Sequence, residues 1–233
     1  MMWANDAQKN DAQKNDAQKE GWAMSDQSRG TSLRERKKAA TRTRLIAVSQ
    51  RLFAARGYHE TTLDEICAEV EVTPQTLLRY FESKAHLAVA PTLDAVDRII
   101  AALGRREGRA VDTWCTMVTD EAADLVDLRR TAYRDFVRNF QRYRLWVDKD
   151  PTLVAIGVHG QRRLQDALAA AICADSDGRT SIGPTLLAAA LAAGREAVYD
   201  LWYSGRIDDE LLVAEQRRTI DDVLDKGKTW LTN

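Results

Sequence analysis

Between residues 73 and 84 the chain reads TPQTLLRYFESK, and its polar side chains suit one kind of chemistry, hydrogen bonding to the edges and phosphates of a nucleic acid. Gln75 carries an amide that can pair with adenine, Thr76 offers a hydroxyl and a methyl to a base edge or a thymine, and Arg79 can read guanine or hold phosphate. Tyr80, Thr62 and Lys84 suit backbone contact, as do Arg42 and Arg44 upstream. Thr73 is a good helix cap, and Pro74 fits the first helical position, where its missing N–H is not needed. Leu77, Leu78 and Phe81 are left to pack back onto the elements that carry this short helix.

Those elements are legible upstream. Leu45, Val48, Leu52 and Phe53 recur at helical spacing and stop at Gly57, which predicts a helix over 42–56. Thr62 with Glu65 three residues on is a capping box, and Leu63, Ile66, Cys67 and Val70 form the apolar stripe of a second helix over 62–70. A break of about three residues then leads to Thr73 and a helix through Phe81, so two short capped helices meet at a tight turn, as in a helix-turn-helix. Upstream, Arg34, Arg36, Lys37, Lys38, Arg42 and Arg44 face the one acid Glu35, a local cationic arm in a chain of net charge -1.

Behind Lys84 the periodic segments lengthen. Helices are expected over 87–106, with a restart or bend at Pro91, then over 112–128, 130–147, 151–174, 184–204 and 209–231. Asp150 and Pro151 open one of them, and Ser204 and Gly205 separate the last two. Four prolines, twelve glycines and 45% hydrophobic residues in 233 fit an all-α architecture with a filled core. The expected organisation is a disordered extension over 1–33, a helix-turn-helix domain over 34–86 and a helical regulatory and dimerisation domain over 87–233.

The extension contains NDAQK three times in tandem, too polar to bury a core, and Met24 offers a second start beyond it. Cys67, Cys115 and Cys173 are odd in number and far apart, which points away from a disulfide framework or a zinc site. With no long apolar run and no signal-peptide core, a cytoplasmic protein without a membrane partner is expected.

The stretch LIAVSQRLFAARGYHETTLDEICAEVEVTPQTLLRYFESKAHL resembles the DNA-binding domain of the TetR family of bacterial regulators. Leu52–Phe53, Gly57–Tyr58, Thr61–Thr62, Ile66 and the segment ending at Lys84 carry the resemblance. Two positions depart from the family pattern. Glu71 stands where the turn usually has glycine, so a left-handed backbone there would cost about 1 kcal/mol. Leu78 stands where a tyrosine often contacts phosphate, so that contact is not carried over.

The resemblance implies a homodimer on a near-palindromic double-stranded operator, released by an unknown small-molecule effector, most simply as a repressor. An interface is expected from Leu187, Leu191, Gly194, Val198, Leu201 and Trp202, whose small and apolar positions allow close helix approach, against the alternative that they form the chain's own core. Trp114, Met117, Tyr133, Phe136, Phe140, Trp146 and His159 are the residues proposed to line an effector pocket, against the simpler reading of such stripes as core. No nucleophile and base pair, metal-ligand spacing or phosphate-binding glycine loop accompanies His159, so neither enzyme activity nor a cofactor is expected. The competing reading is a helical small-molecule-binding or enzymatic domain that keeps a degenerate helix-turn-helix for assembly. The cationic arm and the polar face of TPQTLLRYF count against it.

Overall fold

The computed structural model describes residues 33–130, 149–176 and 182–232, and every regular element among them is a helix. The chain divides into two compact units, Met1–Leu45 and Ile46–Asn233. Helical residues 33–56 (α1) contribute to both. In the first unit, residues 33–40 are exposed and helical, an earlier start than the apolar pattern signals. Leu33–Ala40 has one apolar side chain to announce a buried face, but its Arg, Lys, Glu and Ala are strong helix formers.

The second unit opens with the end of α1, followed by α2 (Leu63–Val70), α3 (Pro74–Leu78) and α4 (Lys84–Arg105). Gly57 turns the chain out of α1 at φ 98°, a conformation that favours glycine, and the Thr61 hydroxyl donates to its carbonyl at 2.9 Å. Arg51 pairs with Glu69, and Arg56 with Glu65 at 2.7 Å, tying α1 to α2 across the surface. Beneath them Leu52, Phe53, Ile66, Cys67, Val70, Leu77 and Phe81 are buried.

Helix α4 starts at Lys84, three residues before the expected point, because Ser83 accepts the His86 amide as its cap. It runs through Pro91 without a break. Proline removes the hydrogen bond its own N–H would give to the preceding turn. One residue beyond that turn, the Ala88 carbonyl accepts from Gln50 Nε2 at 2.8 Å, so buried Gln50 joins α1 to α4 beside the proline.

Four further helices follow: α5 (Ala110–Arg130) and α6 (Pro151–Asp175) pack on α4, α7 (Gly183–Tyr203) packs on α6, and α8 (Asp209–Thr232) packs on α5 and α7. The expected helix over 130–147 falls almost wholly outside the described residues, as does the 1–33 extension but for Leu33. The main core joins Val96, Ile99 and Leu103 of α4 to Val111, Trp114 and Val118 of α5, Leu164 and Leu168 of α6, Leu187 and Leu191 of α7, and Ile220 of α8. A second cluster centres on Val198, Tyr199 and Trp202 with Ala122, Val126 and Leu212. Between these clusters Arg195 is buried with its guanidinium against Glu121 at 2.8 Å and Glu196 at 2.5 Å. Burial opposes its charge, but the two carboxylates outweigh burial and push its pKa up.

At the far end of α4, Arg106 donates to the Ala171 carbonyl at 2.9 Å and to Asp175 at 2.8 Å, and Asp175 also accepts the Ala110 amide at 2.5 Å. One carboxylate thereby joins the end of α4, the start of α5 and the end of α6. Burial raises the pKa of Asp175, but the Ala110 amide and the Arg106 guanidinium outweigh it and hold the carboxyl below its ordinary value.

Candidate nucleic-acid interface

Residues 46–84 of the second unit, from the end of α1 to the start of α4, form its head, and each short helix there is set by side chains that close its first turn. The Thr62 hydroxyl accepts the Glu65 amide at 3.2 Å, while Glu65 accepts the Thr62 amide at 2.8 Å, completing the capping box. That amide, then the Arg56 guanidinium, lowers the pKa of Glu65. Thr73 repeats the device, accepting the Thr76 amide at 3.2 Å ahead of Pro74.

Between α2 and α3 the backbone turns at Glu71, with φ 61° and ψ 44°. This is the left-handed conformation expected at that position despite the side chain. The Glu71 and Val72 amides bond back to the Ala68 and Cys67 carbonyls at 3.3 and 3.0 Å, closing the end of α2. The turn therefore keeps its shape at the expense of a Cβ clash of about 1 to 2 kcal/mol.

The outcome is a short helix with two faces. Leu77 is fully buried and Phe81 nearly so, while Pro74, Gln75, Leu78 and Arg79 are exposed. Leu78, expected to pack inward with Leu77, instead stands outside at 50% exposure, because a helix of five residues can aim only one side of its turn at the core. Thr76 is half-buried and its hydroxyl lies 3.0 Å from that of Thr73. Tyr80 is half-buried. Thr62 is exposed at the start of α2.

Lys84 is half-buried, with its ammonium 4.4 Å from the centre of the Tyr58 ring. Burial lowers its pKa, partly offset by Glu60, Asp150 and Glu65. The Tyr58 contact went unforeseen; nothing in helical spacing links residues 58 and 84. Thr62, Thr73, Pro74, Gln75, Thr76, Arg79, Tyr80 and Lys84 thus all belong to the head of the second unit. Arg42, half-buried, and Arg44, exposed, belong to the first.

The residues proposed for the larger domain fare differently. Trp114 is fully buried in the main core, Met117 packs against it, and His159 is exposed on α6. Tyr133, Phe136, Phe140 and Trp146 lie outside the described residues. Leu187, Leu191, Val198 and Trp202 are buried in the chain's own core, and Leu201 is half-buried. A Cβ on Gly194 would stand 2.8 Å from Thr219 Cγ2, so the small residue serves the close approach of α7 and α8 within one chain. Among the described residues no group of His, Cys, Asp and Glu could hold a metal ion, and no helix is long and apolar enough to cross a membrane.

Residues 45–90 match the family model described as bacterial regulatory proteins of the tetR family. Over 74 residues, 32% of this chain and 33% of the relative, the sequence is 42% identical to the HTH-type transcriptional regulator TcmR of Streptomyces glaucescens. Over 61 residues, 26% of this chain and 31% of the relative, it is 33% identical to the HTH-type transcriptional regulator UidR of Escherichia coli K12. Each match thus spans about a third of the relative's length. The solved SmeT–triclosan complex shares the fold, with a TM-score of 0.60 over 80% of this chain and 91% of that one at 19% identity.

Proposed function

We propose that this chain, whose residues 45–90 form a helix-turn-helix domain of the bacterial tetR family, is a transcriptional repressor that binds a near-palindromic operator as a homodimer and leaves it when a small molecule binds the larger helical domain. The observation that carries the reading is the exposed face of α3, where Gln75 and Arg79 stand clear of a fully buried Leu77. Gln75 reads adenine and Arg79 guanine or phosphate, while Thr76, its hydroxyl beside Thr73, presents its methyl. Thr62, Tyr80 and Lys84, with Arg42 and Arg44, hold the backbone.

Two heads must reach successive major grooves about 34 to 36 Å apart, which requires a second copy of the chain. Since Leu187, Leu191, Val198 and Trp202 serve the chain's own core, the dimer surface draws on side chains left outside it, such as Leu186 and Leu211. For the effector, Trp114 is the supporting feature: its indole N–H is buried with no hydrogen-bond partner among the described residues. A buried donor without an acceptor is unfavourable, and a ligand carrying an acceptor would relieve it.

The test is binding to DNA flanking the chain's own gene, titrated with salt. Wild-type protein is expected to bind selectively, with affinity falling as salt rises. Gln75→Ala should change preference at one position by about 1 to 3 kcal/mol, whereas Arg42→Ala should weaken all sequences alike and flatten the salt slope by about one. Absence of any sequence-selective, salt-dependent binding overturns the reading.

A further inference from the structure

We infer that Leu78 is a base-reading residue whose side chain contacts the 5-methyl group of a thymine, within about two base pairs of the base read by Gln75. This rests on the DNA-binding reading above and adds to it an apolar reader beside Gln75 and Arg79, larger than the single methyl of Thr76.

Leu78 is 50% exposed although Leu77 beside it is fully buried. The large apolar side chains that build the head, Leu52, Phe53, Ile66, Val70, Leu77 and Phe81, are all buried, so its core is complete without Leu78. A single exposed leucine is ordinary on a protein surface. This one occupies the face that matters. At 3.6 residues per turn it falls on the exposed arc shared by Pro74, Gln75 and Arg79, with Pro74 four residues and Gln75 three residues before it.

A helix in the major groove presents that arc to the base pairs, whose exposed edges are hydrogen-bonding groups apart from the thymine methyl and the smaller C5–H of cytosine. A leucine has no hydrogen bond to offer and would desolvate a polar edge without replacing its water. Opposite a thymine methyl the same side chain removes apolar surface from water on both partners. Side chains three apart on a helix sit about 5 to 6 Å from each other. Base pairs rise by about 3.4 Å, which sets the spacing from the Gln75 contact.

The experiment uses the full-length protein to select duplexes from a randomised pool and then replaces each thymine of the enriched sequence by uracil. That change removes the 5-methyl and leaves the pairing and O4 in place. At one thymine in each half-site, uracil is expected to weaken wild-type binding about three- to fivefold, the effect of one buried methyl group. In Leu78→Ala the same replacement should change binding by less than about 1.5-fold, since the partner of the methyl is gone. Should Leu78→Ala bind too weakly to titrate, Leu78→Val is read in the same way, with a reduced uracil effect expected.

The inference is overturned if no thymine is sensitive to uracil, or if every sensitive thymine is equally sensitive in the Leu78 variants. Either result would leave selective binding intact, including the case where Leu78 docks another protein. A pool that yields no enriched sequence would instead overturn the DNA-binding reading, and this inference with it.

Discussion

Glu71 shows how a single residue can carry a turn that its type does not favour. At φ 61° its Cβ crowds the backbone, yet the amides of Glu71 and Val72 close the last turn of α2, and Thr73 caps the next helix two residues later. Replacing it by glycine removes the crowding but makes the unfolded chain more flexible, and the two effects partly cancel. Glu71→Gly is expected to raise stability by up to about 1 kcal/mol, read as a higher denaturant midpoint with an unchanged slope. A lower midpoint would mean that the carboxylate makes an interaction that outweighs the strain. The identity of the misfit was legible from the sequence through the family resemblance, which implies glycine at the position of Glu71. The exposure of Leu78 was not, since Leu77 and Leu78 are interchangeable in type and a five-residue helix is too short for periodicity to separate them.

At the scale of elements, the caps were the most legible features. Thr62, Thr73 and Asp150 with Pro151 act where expected, because a cap is a local interaction complete within four residues. Packing partners were harder to read. An apolar stripe such as Leu187, Leu191 and Val198 states that a helix face is buried, but not whether the covering helix belongs to the same chain. The Asp175 clasp was invisible for a related reason: Arg106 and Ala110 meet it from 69 and 65 residues away. Its carboxyl titrates below its ordinary value when folded, so its contribution is present above the unfolded-state pKa near 4 and is lost as pH falls through the lower folded-state value. Asp175→Asn should therefore lower stability at neutral pH by about 2 kcal/mol, with the difference from wild type shrinking in acid. A difference that stays constant down to pH 3 would remove the ionised carboxylate from the explanation.

At the scale of the whole second unit, α4 belongs both to the head and to the larger helical core. Its N-terminal turns lie beside Gln50 and its C-terminal turns carry Ile99 and Leu103 into the main cluster. Of the restart or bend expected at Pro91, the restart does not occur: the helix continues through it, with Gln50 bonded beside the interrupted turn. Gln50→Leu keeps the bulk and removes the donor. It should lower overall stability by about 1 to 2 kcal/mol and speed amide hydrogen exchange in α2 and α3 more than in α6 or α7. Uniform acceleration across all helices would show that the head and the core open together, with no separate loosening at Gln50.

Under the proposed function, the Gln50–Ala88 bond also sets a threshold for release by a small molecule. Any motion that draws α1 away from α4 must leave a buried amide or carbonyl unsatisfied until water reaches it, at about 1 to 3 kcal/mol. By linkage, a small molecule that drives such a motion must prefer the displaced state by at least that amount, roughly a five- to 150-fold difference in affinity between the two states. Molecules that fit the larger domain equally well in both states would bind and yet transmit nothing to the DNA, so affinity alone is a poor guide to which ligand is the signal.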